Sequence, residues 1–203
     1  MGPNKTASYS RMPLRPGVQP PAGLRPGTSR VTLLIVLGSE TVFFGTVISA
    51  YLYLRATQTN LAFTQQLGAQ LALPVANTLL LIVSALTAAL AGRSIRRGNV
   101  KALSGWLLVT LVLGLVFVAG QAFDYLRSGM HPADQAFGGV FFTLMSFHAL
   151  HMLAGVVVMA IALVRARLGD FTARRHDAID VGTGFWYYVV AVWVVLFAVL
   201  YLI

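Results

Sequence analysis

Five long apolar runs dominate the sequence and leave few folds open to it. They cover approximately residues 31–54, 71–92, 103–126, 138–164 and 184–203. Each is near or above the ~20 residues that a helix needs to cross ~30 Å of hydrocarbon. Because lipid offers no hydrogen-bond partners, a spanning segment must satisfy its backbone internally, as a helix does. We therefore predict an all-α integral membrane protein, a bundle of five transmembrane helices.

The composition fits this class better than a soluble one. Charged residues make up 10% of the 203 residues and hydrophobic residues 57%, whereas a soluble domain carries about 25% charged residues. The net charge of +9 could suggest a nucleic-acid partner, but the charges lie between the apolar runs, where membrane proteins place their anchors. We expect no nucleic acid.

The basic residues predict how the helices are oriented. Thirteen of the fifteen Lys and Arg residues fall before the first run, after the second or after the fourth, and only Arg55 and Arg127 fall on the other side. Positively charged loops stay in the cytoplasm. We therefore expect a cytoplasmic N-terminus and an outer C-terminus.

Residues 1–30 form a separate region. They hold six of the eight prolines, four glycines and no acidic residue, so they bury too little apolar surface to offset the entropy of ordering. We predict a disordered, basic cytoplasmic tail, followed by a transmembrane domain over residues 31–203. The first apolar run is too long for a signal-peptide core and lacks a small-residue cleavage site.

Glu40 is the most informative polar residue. It lies about ten residues into the first run, or ~15 Å from the cytoplasmic edge, where an ionised carboxylate costs several kcal/mol. Two interpretations are open: a proton-handling or lipid-headgroup site, and a neutral carboxyl that donates a hydrogen bond between helices.

His148 and His151 lie three residues apart in the middle of the fourth run. His148 is at nearly the same depth as Glu40, and we predict that these two are neighbours that share a hydrogen bond or a proton. The chain has four histidines and no cysteine, and one helix supplies both intramembrane imidazoles. We therefore expect no metal site, no redox centre and no catalytic residue in this chain.

A further polar cluster and two tryptophans complete the candidates. Gln121, Asp124 and Tyr125 share one face near the outer end of the third run, where we expect Asp124 to be solvated. We expect these three residues, like Trp186 and Trp193, to serve helix packing or a subunit interface. Trp186 is also predicted to belong to an aromatic belt at the inner interface. Trp193 is too deep for a belt, and we expect it to pack against another helix or subunit.

Read in order, the motifs resemble those of subunit III of the haem-copper (cytochrome c) oxidases in its five-helix bacterial form. They are Ser39-Glu40-Thr41-Val42-Phe43-Phe44, then Gln121 with Asp124-Tyr125, then Phe137-Gly138-Gly139-Val140-Phe141-Phe142, then Phe147-His148-Ala149-Leu150-His151-Met152. The resemblance covers about residues 31–203. The last helix keeps both tryptophans but has Tyr187 and Val190 where the family usually has His and Asp.

The resemblance implies a non-catalytic subunit of a proton-pumping terminal oxidase that passes electrons to O2. Its main partner would be subunit I, in a complex with subunit II and other members, and the haem and copper would belong to the partners. Glu40 would line a cleft that binds phospholipid and would help to sustain proton uptake, with His148 and His151 nearby.

The altered last helix leaves two alternatives open. These are a subunit-III-like accessory protein of a nitric oxide reductase and the subunit III of a quinol oxidase. An independent small transporter would rest only on the ionisable residues inside the membrane.

Overall fold

The computed structural model describes residues 26–57, 71–127, 136–172 and 176–202, and the regular structure in them is helical. The helices are α1 (Pro26–Thr57), α2 (Ala72–Arg96), α3 (Val100–Arg127), α4 (Ala136–Arg167) and α5 (Asp177–Phe197), which continues as a π-helical turn over Ala198–Leu202. All five are long and apolar enough to cross a membrane. The predicted class and number of spans are confirmed for this part of the chain.

Two helices begin well before their predicted bounds. α1 begins at Pro26, five residues before the predicted start, and residues 1–25 of the predicted tail lie outside the described residues. Proline suits a first helical position because its missing N–H would have no intrahelical partner there. α5 begins at Asp177, seven residues early, and Asp177 and Asp180 in its first turn suit the positive end of the helix dipole. Hydropathy does not detect such polar helix ends.

The helices pack around two apolar cores. The larger core joins α2, α3, α4 and α5 and includes Leu107, Met152 and Trp186. The smaller core joins α1, α4 and the end of α5 and includes Phe44 and Leu196. α1 packs mainly against α4 and α5, so the face between α1 and α4 lies at the edge of the bundle.

The two tryptophans of α5 fix the larger core. Trp186 is fully buried, and its indole N–H donates to the hydroxyl of Ser84 at 3.1 Å. Trp193 is also buried, and its indole N–H donates to the hydroxyl of Thr78 at 3.0 Å. Trp193 thus packs against α2 of this chain. The belt position predicted for Trp186 is wrong, because a hydroxyl on α2 satisfies its polar atom inside the bundle.

Glycines make room for the Trp186 indole. A Cβ atom on Gly114 of α3 would lie 2.5 Å from the indole, and one on Gly155 of α4 would lie 3.1 Å from it. The ring is therefore held between α3 and α4 where a side chain on either helix would collide with it.

Candidate functional site

Glu40 of α1 and His151 of α4 form a hydrogen-bonded pair in the middle of their helices. The distance from the Glu40 Oε2 atom to the His151 Nε2 atom is 2.9 Å. The Glu40 side chain is 31% exposed and that of His151 is 15% exposed. The pair therefore joins two helices at the surface of the bundle, at a depth where lipid or a partner would surround it.

The second hydrogen bond of His151 fixes how many protons the pair holds. Its Nδ1 atom lies 2.7 Å from the backbone carbonyl of Phe147, which can only accept, so Nδ1 carries a hydrogen and donates. The bond between Nε2 and Glu40 then contains one proton. That proton lies either on the carboxyl, giving a neutral pair, or on the imidazole, giving an ion pair.

The net charge of the pair is zero in both forms. A single unpaired charge at this depth would cost several kcal/mol, and the shared proton avoids that cost. The proton can change sides within the hydrogen bond without creating net charge. The arrangement can therefore hold a proton in the membrane and pass it between two groups.

A groove of about 560 Å³ lies beside the pair, between α1 and α4. Its lining residues are Ser39, Glu40, Phe43, Phe147, Leu150, His151 and Ala154. The rings of Phe43 and Phe147 are 4.7 Å apart between centroids, and the ring of Phe44 meets that of His151 edge-on at 5.2 Å. The groove is therefore an apolar, partly aromatic surface with one carboxyl–imidazole pair in it. Phe43 and Phe147 belong to the sequence motifs, but spacing alone gave them no role.

The predicted contact between Glu40 and His148 is wrong, because His151 takes that place. His148 is 2% exposed, and its ring lies 5.1 Å from that of Trp193 and 6.2 Å from that of Phe117. Residues three apart on a helix differ in direction by about 60°. On α4 that angle separates the side facing α1 from the side facing α3 and α5, so the two histidines serve different interfaces.

The cluster predicted on α3 comes together in the structure. Gln121, Asp124 and Tyr125 all line a cavity between α3 and α4, together with His148. The ring of Tyr125 packs edge-on against that of Phe142 at 4.9 Å. Tyr201, from the π-helical turn after α5, also lines this cavity.

The two departures in the last helix differ in exposure. Tyr187 is 40% exposed, and Val190 is buried in the larger core. Among the described residues, no group of three or more His, Cys, Asp or Glu side chains is arranged to hold a metal ion.

The fold and the site together define a multi-pass membrane protein whose ionisable pair faces a groove at the edge of a five-helix bundle. Comparisons with known proteins give the family. Residues 23–203 match the family model for cytochrome c oxidase subunit III, and the chain belongs to that family.

Relatives from distant organisms agree with this assignment. A "Probable cytochrome c oxidase subunit 3" of Nocardia farcinica is 32% identical, over 88% of this chain and 90% of the relative. A "Cytochrome c oxidase subunit 3" of Thermostichus vulcanus is 30% identical, over 84% of this chain and 85% of the relative. A protein of the same name from Coturnix japonica is 30% identical, over 85% of this chain and 68% of the relative.

The chain is thus a subunit III of a haem-copper oxidase and part of an oxidoreductase complex with other oxidase subunits, as predicted. The alternatives, a nitric oxide reductase accessory protein, a quinol oxidase subunit and an independent transporter, are not favoured by these names.

Proposed function

We propose that this subunit binds phospholipid in the groove between α1 and α4 and supports proton uptake by the catalytic subunit I. The observation that carries the proposal is the hydrogen-bonded Glu40–His151 pair, whose two side chains line the groove. The haem and copper of the reaction belong to the partner subunits, and this chain acts on their surroundings.

The groove suits the hydrocarbon part of a phospholipid. Phe43, Phe147 and Leu150 give it apolar walls, and its depth near the middle of the helices corresponds to acyl chains rather than headgroups. Glu40 and His151 remain compatible with such a neighbour because their shared proton leaves no net charge.

The same pair suits a role in proton uptake. A carboxyl and an imidazole joined by one hydrogen bond can accept, hold and release a proton. Glu40→Gln separates this role from packing. The amide of Gln can still donate a hydrogen bond to the unprotonated Nε2 atom of His151, with almost the same shape, but it cannot exchange a carboxyl proton.

For the Glu40→Gln oxidase complex we expect activity to be lost after several-fold fewer turnovers, with phospholipid content unchanged. The number of turnovers is measured by following oxygen consumption until the complex is inactive. The phospholipid content is measured by mass spectrometry of the extracted lipid. Ser39→Ala is the matched control, because Ser39 lines the same groove and its hydroxyl donates to the carbonyl of Ile35 in its own helix. If the Glu40→Gln complex completes as many turnovers before inactivation as the wild type, the proton role is refuted.

The lipid role has its own test. Phe43→Ala removes one of the two contacting aromatic rings from the groove wall, so the purified complex should retain less phospholipid while the Glu40–His151 pair stays intact. Lipid content equal to that of the wild type would contradict binding in this groove.

The location and the main contact complete the proposal. The uneven distribution of Lys and Arg supports a cytoplasmic N-terminus in a bacterial inner membrane, and family membership supports subunit I as the principal neighbour. Gentle detergent purification through a tag at the N-terminus should recover a complex with an a- or o-type haem spectrum. Recovery of the chain alone would argue against this contact.

A further inference from the structure

A second polar site lies on the other side of α4 from the groove. It is a cavity of about 280 Å³ between α3 and α4, and Trp193 and Tyr201 from the C-terminal part of the last helix also line it. Most of its walls are apolar or aromatic, and Gln121, Asp124 and His148 bring polar groups to it. The cavity reaches from Asp124 and Tyr125, near one end of α3, to His148 in the middle of α4.

Two of these side chains have buried polar atoms that form no hydrogen bond with any described residue. Both ring nitrogens of His148 are buried and have no hydrogen-bond partner among the described residues. The same holds, within those residues, for the nitrogen and the oxygen of the Gln121 amide. Buried polar atoms without partners are rare, because each costs about as much as a lost hydrogen bond.

The chemistry of the four atoms indicates what binds them. A neutral imidazole offers one donor and one acceptor, and a carboxamide offers two donors and accepts at its oxygen. A ligand that satisfies both groups must donate and accept within a small space. A lipid acyl chain does neither and would leave all four atoms unsatisfied.

We propose that this cavity binds a cluster of water molecules, held by the side chains of Gln121 and His148 and entering from the end of α3 that carries Asp124 and Tyr125. At ~30 Å³ per water molecule, the cavity has room for up to about nine, and each bound water needs two to four polar partners. His148 then forms hydrogen bonds with this water, while His151, on the α1 side of the same helix, forms its hydrogen bond with Glu40.

Density in the cavity of the purified oxidase complex tests the proposal directly. In a high-resolution cryo-electron microscopy map of the complex in lipid nanodiscs, we expect separate round peaks at about 2.7–3.2 Å from the Gln121 amide and the His148 nitrogens. Continuous elongated density, as from an acyl chain or another amphiphile, would overturn the proposal. So would a cavity without density beside well-resolved side chains.

Gln121→Leu gives an independent test, because a hydrated and a dry cavity predict opposite changes in the temperature at which the complex loses this subunit. If water satisfies the amide, leucine removes ligands from the cluster, and the complex should lose this subunit at a lower temperature, with the peaks near residue 121 gone. If the cavity is dry, leucine removes an unsatisfied amide, and the midpoint temperature of subunit loss should rise. An equal or higher midpoint would overturn the proposal. If the leucine variant does not assemble, Gln121→Met, which is closer in shape, is read in the same way.

Discussion

Gly114→Ala is the sharpest test of how this bundle is packed. The new Cβ atom would lie 2.5 Å from the Cη2 atom of Trp186 and 3.0 Å from its Cζ2 atom, whereas carbon atoms pack best at about 3.5–4.0 Å. Either the indole or the α3 backbone must therefore move by about 1 Å.

The indole cannot move freely away from α3. Gly155 of α4 is close to the other part of the ring, and the indole N–H is bonded to Ser84. Overpacking of this kind costs about 1–3 kcal/mol, and loss of the hydrogen bond adds about 0.5–1.5 kcal/mol. Better helix propensity of alanine offsets up to about 1 kcal/mol. We expect a net loss of about 1–3 kcal/mol in the free energy of unfolding.

SDS titration of the full chain, purified in a mild detergent, measures that loss. Gly105→Ala is the matched control on α3, because its Cβ atom would have nothing within 4 Å, and it should be neutral or slightly stabilising. Adding Trp186→Phe should recover part of the loss in the double variant, since the two changes share one contact. If Gly114→Ala and Gly105→Ala unfold at the same SDS concentration, the argument from the buried indole is refuted.

The remaining predictions concern a second indole and the orientation of the chain. Thr78→Val should destabilise the chain by about 0.5–2 kcal/mol in the same titration, because it leaves the N–H of Trp193 without its partner. Thr46→Val is the control, since its hydroxyl donates to the carbonyl of Val42 in its own helix, and equal effects would contradict the role of Trp193. Because the chain has no cysteine, single variants Ser10→Cys and Thr57→Cys can report orientation. A membrane-impermeant maleimide added to intact cells should label only Thr57→Cys, and the opposite labelling would reverse the predicted topology.

The sequence predicted the membrane-spanning architecture because that architecture depends on the length of apolar runs. Every backbone that crosses lipid must satisfy its hydrogen bonds internally, so an apolar run such as 103–126 identifies α3 without any knowledge of its neighbours. The ends of the helices are harder to predict, because helices continue through polar residues once they leave the hydrocarbon. The early start of α5 at Asp177 illustrates this. The family could be recognised because its motifs lie on the expected helices in the expected order.

The site was predicted only in part. Depth along a helix follows from residue number, so Glu40 could be placed at the level of the histidines. The choice between His148 and His151 depends on how α4 is rotated against α1, and this rotation follows from packing, which the sequence does not show. Trp186 was misplaced for the same kind of reason, since its burial depends on Ser84 and Gly114 of other helices. The cavity around Gln121 is a property of three helices together.

The attachment of α1 has a consequence for biosynthesis. α1 is the first described helix to leave the ribosome, yet it packs mainly against α4 and α5, and its Glu40 bonds to a histidine 111 residues further along the chain. At about 5–20 residues per second, the ribosome needs about 6–22 s to synthesise the chain from Glu40 to His151. Throughout this interval the newly inserted helix carries a carboxyl group in the bilayer before its imidazole has been made. The hydrogen bond between Glu40 and His151 can therefore form only after the middle of α4 has been made.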